Sequence, residues 1–193
     1  MKQNPDDIAL DAKYIQLALQ GDAQAFRWLV DKYHRYIFGL CWRVTGNEQD
    51  AADLTQETFL KLYTHLKDYR PGEKLSNWLY TIALNESRKN LRRKKIVRFF
   101  SLDQEEILPP LAAQGAESDG PARETQSKAL FDRLVRDLPE SLRPSFVLRY
   151  SEELSDEEIA QVTGLSLSNV RVRIHRARRY LWEKHAELIR EIL

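Results

Sequence analysis

The sequence predicts an all-α protein: two small helical domains joined by a flexible acidic linker, the second of them a helix-turn-helix domain. Three observations predict it. Apolar residues recur at three- and four-residue spacing through most of the chain, the period of a helix with one buried face. Glycine and proline are scarce, seven of each in 193 residues, and most of them fall where such runs break. Charge is segregated, so that a net charge of only +1 hides two basic blocks on either side of an acidic stretch.

The first helix is expected over Ile8–Leu19, where Gly21 breaks it and Asp22 caps the next. Phe26, Leu29, Val30, Tyr33, Ile37, Leu40 and Val44 mark one face of a long second helix, ended by Thr45-Gly46-Asn47. A third runs from about Glu48 to Leu66, with Ala51, Leu54, Thr58, Phe59, Leu62 and Leu66 facing the core. The turn from Asp68 to Lys74 is punctuated by Pro71-Gly72. A fourth helix starts near Leu75 or Ser76 and runs into the first basic block, Arg88 to Arg98. Residues 101–125 hold Pro109-Pro110, Gly120-Pro121 and most of the acids of the acidic stretch, without periodicity; they read as the linker. Beyond it, helices are expected over Thr125–Asp137 and, with proline as the starting residue, Pro139–Tyr150.

Two more helices follow, and their signals are sharper. Ser155 and Glu158 form a capping box. Gly164 stands where a left-handed turn residue belongs. Ser166 caps the last helix, whose apolar face is Leu167, Val170, Ile174, Ala177 and Leu181. Wound at about 100° per residue, that helix turns Ser168, Val172, His175, Arg176 and Arg179 outward, flanked by Arg171, Arg173 and Arg178. Arginines suit guanine edges and phosphates, serine suits either, and a valine suits a thymine methyl group. This is the composition of a helix lying in a major groove of DNA.

The same winding of the fourth helix separates a broad apolar side (Leu75, Trp78, Leu79, Tyr80, Ile82, Ala83, Leu84, Leu91) from a polar stripe of Asn77, Thr81, Asn85, Arg88, Arg92 and Lys95. Amides read base edges and cations neutralise phosphate, so this stripe also fits DNA. The preceding loop adds Tyr69, Arg70 and Lys74, an aromatic ring beside cations, as a single-stranded base requires for stacking. Trp78, at the edge of the apolar side, is expected to pack in the core in preference to touching DNA.

Other chemistries find little support. Asp50, Asp53 and Glu57 share one side of the third helix with His65 two turns on, but a protein-docking face explains them better than a metal site does. His34, His175 and His185 show no ligand spacing. No phosphate-cradling glycine loop and no nucleophile–base pair is present, so neither a catalytic activity nor a cofactor is expected. One cysteine, Cys41, excludes an internal disulfide. Met1–Asp11 does not read as a secretory signal, and no run is long and apolar enough to span a membrane; a cytoplasmic protein is expected.

Five stretches, in order, resemble the extracytoplasmic-function class of bacterial RNA polymerase sigma factors: Gly21–Phe26, Asp50–Phe59, Asn77–Asn85 with Arg88, Leu138-Pro139 and the residues after it, and Ser155–Arg178. The resemblance implies three segments. Residues 1–100 would bind core polymerase and recognise and melt the −10 promoter element, 101–125 would be the linker, and 126–193 would read the −35 element. It implies that Asp50, Asp53, Gln56 and Glu57 face the polymerase clamp, that Tyr69–Lys74 holds a flipped base, and that the linker threads through polymerase. It also implies control by an anti-sigma factor, often membrane-bound, with no membrane insertion of the chain itself. Two departures stand out. Lys74-Leu75-Ser76 replaces a basic-aromatic-basic lead into Trp78, and Val172 replaces a small polar residue.

Two other readings remain open at the level of sequence. One is an ordinary helix-turn-helix regulator whose first domain senses a signal or dimerises; the other is an adaptor that binds only proteins. Chain geometry favours binding on polymerase. Two promoter elements about two helical turns apart are separated by roughly 70 Å. A free linker of about 25 residues averages about 25–30 Å and reaches about 80 Å only when stretched.

Overall fold

The structure, a computed structural model, describes the backbone of residues 4–100 and 122–190. Among these residues every regular element is helical: α1 (Pro5–Leu19), α2 (Ala23–Thr45), α3 (Glu48–Thr64), a short 3-10 turn (Leu66–Asp68), α4 (Leu75–Phe100), α5 (Ala122–Asp137), α6 (Arg143–Tyr150), α7 (Asp156–Thr163) and α8 (Leu167–Arg190). The linker expected at 101–125 lies outside the described residues up to position 121.

Helix ends follow local chemistry. Asn4 and Asp7 form a capping box that starts α1 earlier than expected, with Pro5 in its first turn, where a missing N–H costs nothing. The Asp22 carboxylate accepts from the amides of Gln24 and Ala25 and starts α2. Gly46, at φ +72°, ends it in the left-handed conformation that a side chain would disfavour. Asn47 then caps α3.

One expectation is corrected. Pro139 does not open a helix: it begins a turn closed by the Leu142 amide on the Pro139 carbonyl at 2.9 Å. Pro144 takes the early-helix place instead, in the first turn of α6. Either proline meets the steric rule, and the turn wins because Arg143 spans it, donating to the Leu138 and Arg136 carbonyls, both at 2.8 Å.

In the first half, α2, α3 and α4 pack side by side with α1 across α2. Leu29, Tyr33, Ile37, Leu40, Leu62, Leu79 and Leu84 are fully buried there. In the second half Val147, Leu148, Ile159, Val170 and Ala177 fill the space between α6, α7 and α8. The two sets form one continuous buried cluster, because α2 and α4 also pack on α5, α6 and α7. At about 25 cal/mol per Å², burial of these side chains is the main stabilising term. Ion pairs add to it at two places. Asp11, fully buried, accepts from Lys32 Nζ at 2.7 Å and from the Tyr33 hydroxyl, tying α1 to α2. Arg43 Nε meets Asp132 Oδ1 at 2.7 Å, tying α2 to α5.

Candidate nucleic-acid interface

The helix-turn-helix forms as its signals predict. Ser155 and Glu158 exchange side-chain and backbone hydrogen bonds at the start of α7. Gly164 ends that helix at φ +70°. The Ser166 hydroxyl accepts from the Asn169 amide at the head of α8. Val170, Ala177 and Leu181 turn inward and are buried. Ser168, Arg171, Val172, His175, Arg176, Arg178 and Arg179 are exposed on the other side. Arg173 is the exception: half-buried, it donates to the Ser141 carbonyl at 2.8 Å and seats α8 on the turn before α6. Arg171 leans on Asp156 at 3.3 Å, and Arg179 lies 3.4 Å from Glu183 one turn on. Both guanidinium groups keep most of their surface in solvent, where such pairs exchange readily.

The stripe on α4 is arranged differently. The apolar side seats the helix: Leu75, Leu79, Tyr80, Ala83 and Leu84 are fully buried. Trp78 is half-buried and packs on the core, as expected, with its ring 6.1 Å from that of Tyr69. Tyr69 donates its hydroxyl to the Glu73 carbonyl at 2.6 Å, which folds the 69–74 loop over its own backbone. Arg70 is exposed. Thr81 spends its hydroxyl on the Asn77 carbonyl at 2.8 Å. Asn85 and Arg92 are exposed, and Asn85 accepts from Arg88 at 3.3 Å.

The remaining stripe residues meet the second half of the chain. Lys74 Nζ lies 2.6 Å from Glu158 Oε1, Arg88 Nη2 donates to the Thr163 carbonyl at 3.0 Å, and Lys95 Nζ lies 2.6 Å from Glu140. Asn77 also hydrogen-bonds to Glu158 and is half-buried. Burial lowers the Arg88 guanidinium from its ordinary value, with Arg173 and Arg92 adding like-charge repulsion. For Glu158, burial acts to raise the carboxyl, but the hydrogen bonds from Lys74 and Ser155 and the Lys74 charge outweigh it and hold the group below its usual range.

Beside the stripe, Lys61, Ile82, Asn85, Glu86, Arg88, Lys89 and Arg92 line a cavity of about 360 Å³. Its single carboxylate, Glu86, is held by Lys61 at 2.6 Å and Lys89 at 2.8 Å, which leaves Arg88 and Arg92 as the cations free of it.

The acidic face of α3 is partly self-satisfied. Asp50 pairs with Lys94, Glu57 lies 3.6 Å from Lys61, and Asp53 accepts from Gln49. Asp53 and Gln56 are exposed. Next to Gln56 is an apolar groove of about 390 Å³ between α2 and α3, lined by Phe26, Val30, His34, Phe59, Leu60 and Tyr63 among others. His65 bonds Asp68, and among the described residues no group of three or more His, Cys, Asp or Glu side chains is placed to hold a metal ion. No described helix is long and apolar enough to cross a membrane.

Residue-level reading of the sequence missed Glu152. It is 3% exposed and accepts from the buried Tyr80 hydroxyl at 2.7 Å. The sequence offered only a pair of adjacent acids, Glu152-Glu153, between two helices; in the structure Glu153 adopts φ +57°.

Comparison with known proteins gives this arrangement a lineage. The family model described as Sigma-70 region 2 matches residues 29–96, and that of Sigma-70, region 4 matches residues 128–181. The ECF RNA polymerase sigma factor SigW of Bacillus subtilis is 31% identical over 183 residues, 91% of this chain and 97% of that protein. The RNA polymerase sigma-H factor of Pseudomonas aeruginosa is 34% identical, over 94% of this chain and 96% of its own length. Among solved structures, the sigma factor RpoE of Bartonella quintana, in complex with the anti-sigma factor NepR, shares the fold at a TM-score of 0.64 and 22% identity, over 83% of this chain and 96% of that one. CnrH, in complex with the cytosolic domain of CnrY, does so at 0.60 and 24%, over 91% and 94%. With two Sigma-70 regions in order and full-length relatives of this kind, the chain belongs to the extracytoplasmic-function sigma factors of bacterial RNA polymerase.

Proposed function

We propose that this protein binds core RNA polymerase in the cytoplasm, directs it to specific promoters and helps to open the −10 DNA. The reading rests above all on the exposed face of α8. Val172, His175, Arg176 and Arg179 project from a helix-turn-helix whose caps, turn and buried side are all satisfied internally. Residues 126–193 would read the −35 element with that face, together with Ser168 and Arg171, while Arg173, bound to the Ser141 carbonyl, would hold α8 in place for that contact. Residues 1–100 would carry the −10 contacts along α4 and its loop: Tyr69, Arg70, Lys74, Asn77, Thr81, Asn85, Arg88, Arg92 and Lys95. Asp50, Asp53, Gln56 and Glu57 would face polymerase, with residues 101–125 as the linker.

No step of this function asks the chain for catalysis; it supplies base and phosphate contacts to an enzyme that makes RNA. Regulation by an anti-sigma factor belongs to the same reading, since a sigma factor of the same fold, RpoE of Bartonella quintana, is held in a complex with an anti-sigma factor. Run-off transcription from a fragmented genomic library, with core polymerase alone and with this protein added, tests the proposal. Discrete new transcripts that depend on the protein are expected. Absence of both transcripts and co-elution with core polymerase would overturn it.

A further inference from the structure

The exposed side of α8 is rich in cations, but its centre is apolar. Wound at about 100° per residue, Val172 stands within about 20° of the point opposite buried Val170, Ala177 and Leu181. It is 45% exposed. The cations around it are turned toward other groups. Arg171 leans on Asp156, Arg173 donates to the Ser141 carbonyl, and Arg179 lies beside Glu183. The Ser168 hydroxyl sits 3.1 Å from that of Ser166, within the helix cap. Two polar side chains on the same stripe make no such contact among those found in the described residues. They are Asn169, one turn before Val172, and Arg176, one turn after it, and both are exposed.

A rise of 1.5 Å per residue spreads Asn169, Val172 and Arg176 over about 10 Å, the length of about three base steps. All three lie in the first half of α8, the part of a helix-turn-helix reading helix that reaches base edges. Their chemistry differs. The Asn169 amide carries a donor and an acceptor side by side, the match for N6 and N7 of adenine, and Arg176 carries paired donors, the match for O6 and N7 of guanine. Val172 has neither. Set against a polar base edge, it would strip that edge of water and leave it unpaired, which costs free energy. The apolar substituent on a major-groove edge is the 5-methyl of thymine. Val172 therefore favours thymine and disfavours the other bases through the same contact.

We infer that Val172 is a specificity-determining residue at the centre of the −35 contact: it reads the 5-methyl of a thymine, flanked within about three base pairs by an adenine read by Asn169 and a guanine read by Arg176. The inference rests on the assignment of α8 to the −35 DNA. It adds Asn169 to the reading surface and replaces a generally basic face with an ordered set of three base contacts.

The test uses the full chain on core polymerase and a promoter located by the run-off experiment. Each thymine of its −35 element, on either strand, is replaced in turn by deoxyuridine, which deletes only the 5-methyl. Each adenine and guanine is replaced in turn by its 7-deaza analogue, which deletes the N7 acceptor. Competition binding reads the affinity. One thymine replacement is expected to weaken binding about threefold to fivefold, the effect of one methyl withdrawn from an apolar contact. Val172→Ala is expected to lose that dependence and to bind both duplexes within about 1.5-fold of each other, as two changes to one contact do. Within about three base pairs, one 7-deaza-adenine is expected to weaken binding about fivefold or more, and Asn169→Ala to abolish that effect; a 7-deaza-guanine and Arg176→Ala are expected to behave in the same way. Thermal melts check that these variants of exposed residues keep the fold. A scan in which no thymine methyl matters overturns the inference. So does a methyl dependence that survives Val172→Ala, or an adenine dependence that survives Asn169→Ala. Absence of protein-dependent transcripts defeats the sigma-factor reading and this inference with it, whereas a promoter that is used but indifferent to the methyl defeats this inference alone.

Discussion

At the scale of single residues, the buried groups are chosen for what they do not do. Cys41 is completely buried between α2, α3 and α4; burial pushes its thiol up to about 11, against smaller opposing hydrogen bonds from Ser87 and Thr55. At pH 8 only about one molecule in a thousand would carry a thiolate there. The folded protein is therefore expected to leave a disulfide reagent such as dithiobisnitrobenzoate unreacted for hours and to titrate one thiol after denaturation; prompt reaction of the native protein would contradict the packing described. Tyr80 is held neutral in the same way, raised first by burial and then by the Glu152 carboxylate, so it acts as a donor and not as an acid. The hydroxyls of Thr55, Thr58, Ser87 and Thr163 bond the carbonyl four residues back, which lets polar residues sit in the helical core without an open donor.

Among the elements, α8 separates seating from reading. Arg176 is exposed and makes no ion pair among those found in the described residues, whereas Arg173 is committed to Ser141. Arg176→Ala is expected to weaken binding of the polymerase-bound protein to a −35 duplex by ~1–3 kcal/mol, with little change in thermal stability. Arg173→Ala is expected to lower the melting temperature by a few degrees. Anisotropy titrations beside thermal melts distinguish the two, and equal effects of both variants on binding and melting would remove the distinction. Much of this was legible in the sequence. A capping box, a turn glycine and a period of 3.6 are local, so α7 and α8 could be read residue by residue. The apolar face of α3 was legible for the same reason. What was not legible depends on partners distant in sequence. Lys74 and Glu158 are 84 residues apart, and no period links them. Pro139 and Pro144 obey the same local rule, and only the bonds of Arg143 to the chain around the turn decide between them.

For the molecule as a whole, the two depressed carboxyls set an acid limit. In Glu86, burial acts to raise the group, but the hydrogen bonds and charges of Lys61 and Lys89 carry it below its usual value, as Lys74 does for Glu158. A carboxyl lower in the folded than in the unfolded state adds stability that is complete above the unfolded value, about 4.3 for glutamate, and is lost as pH falls through the folded value. The melting temperature is expected to be level from pH 7 to about 5 and to fall below about pH 4, with a shallower acid decline in a Glu86→Gln, Glu158→Gln variant. An unchanged acid profile in that variant would show that other groups set the limit.

The attachment of α1 carries a practical consequence. The Sigma-70 region 2 match begins at residue 29, downstream of the whole of α1. Yet Asp11 lies buried against Lys32 and Tyr33, Ile15 is 1% exposed, and Tyr14 stacks on Trp28 with ring centres 3.9 Å apart. A fragment cut at residue 29 would uncover an apolar seam and strand a lysine and a phenol whose carboxylate had been deleted. The stretch that the region 2 family model matches is thus shorter than the stretch that must be expressed together to fold.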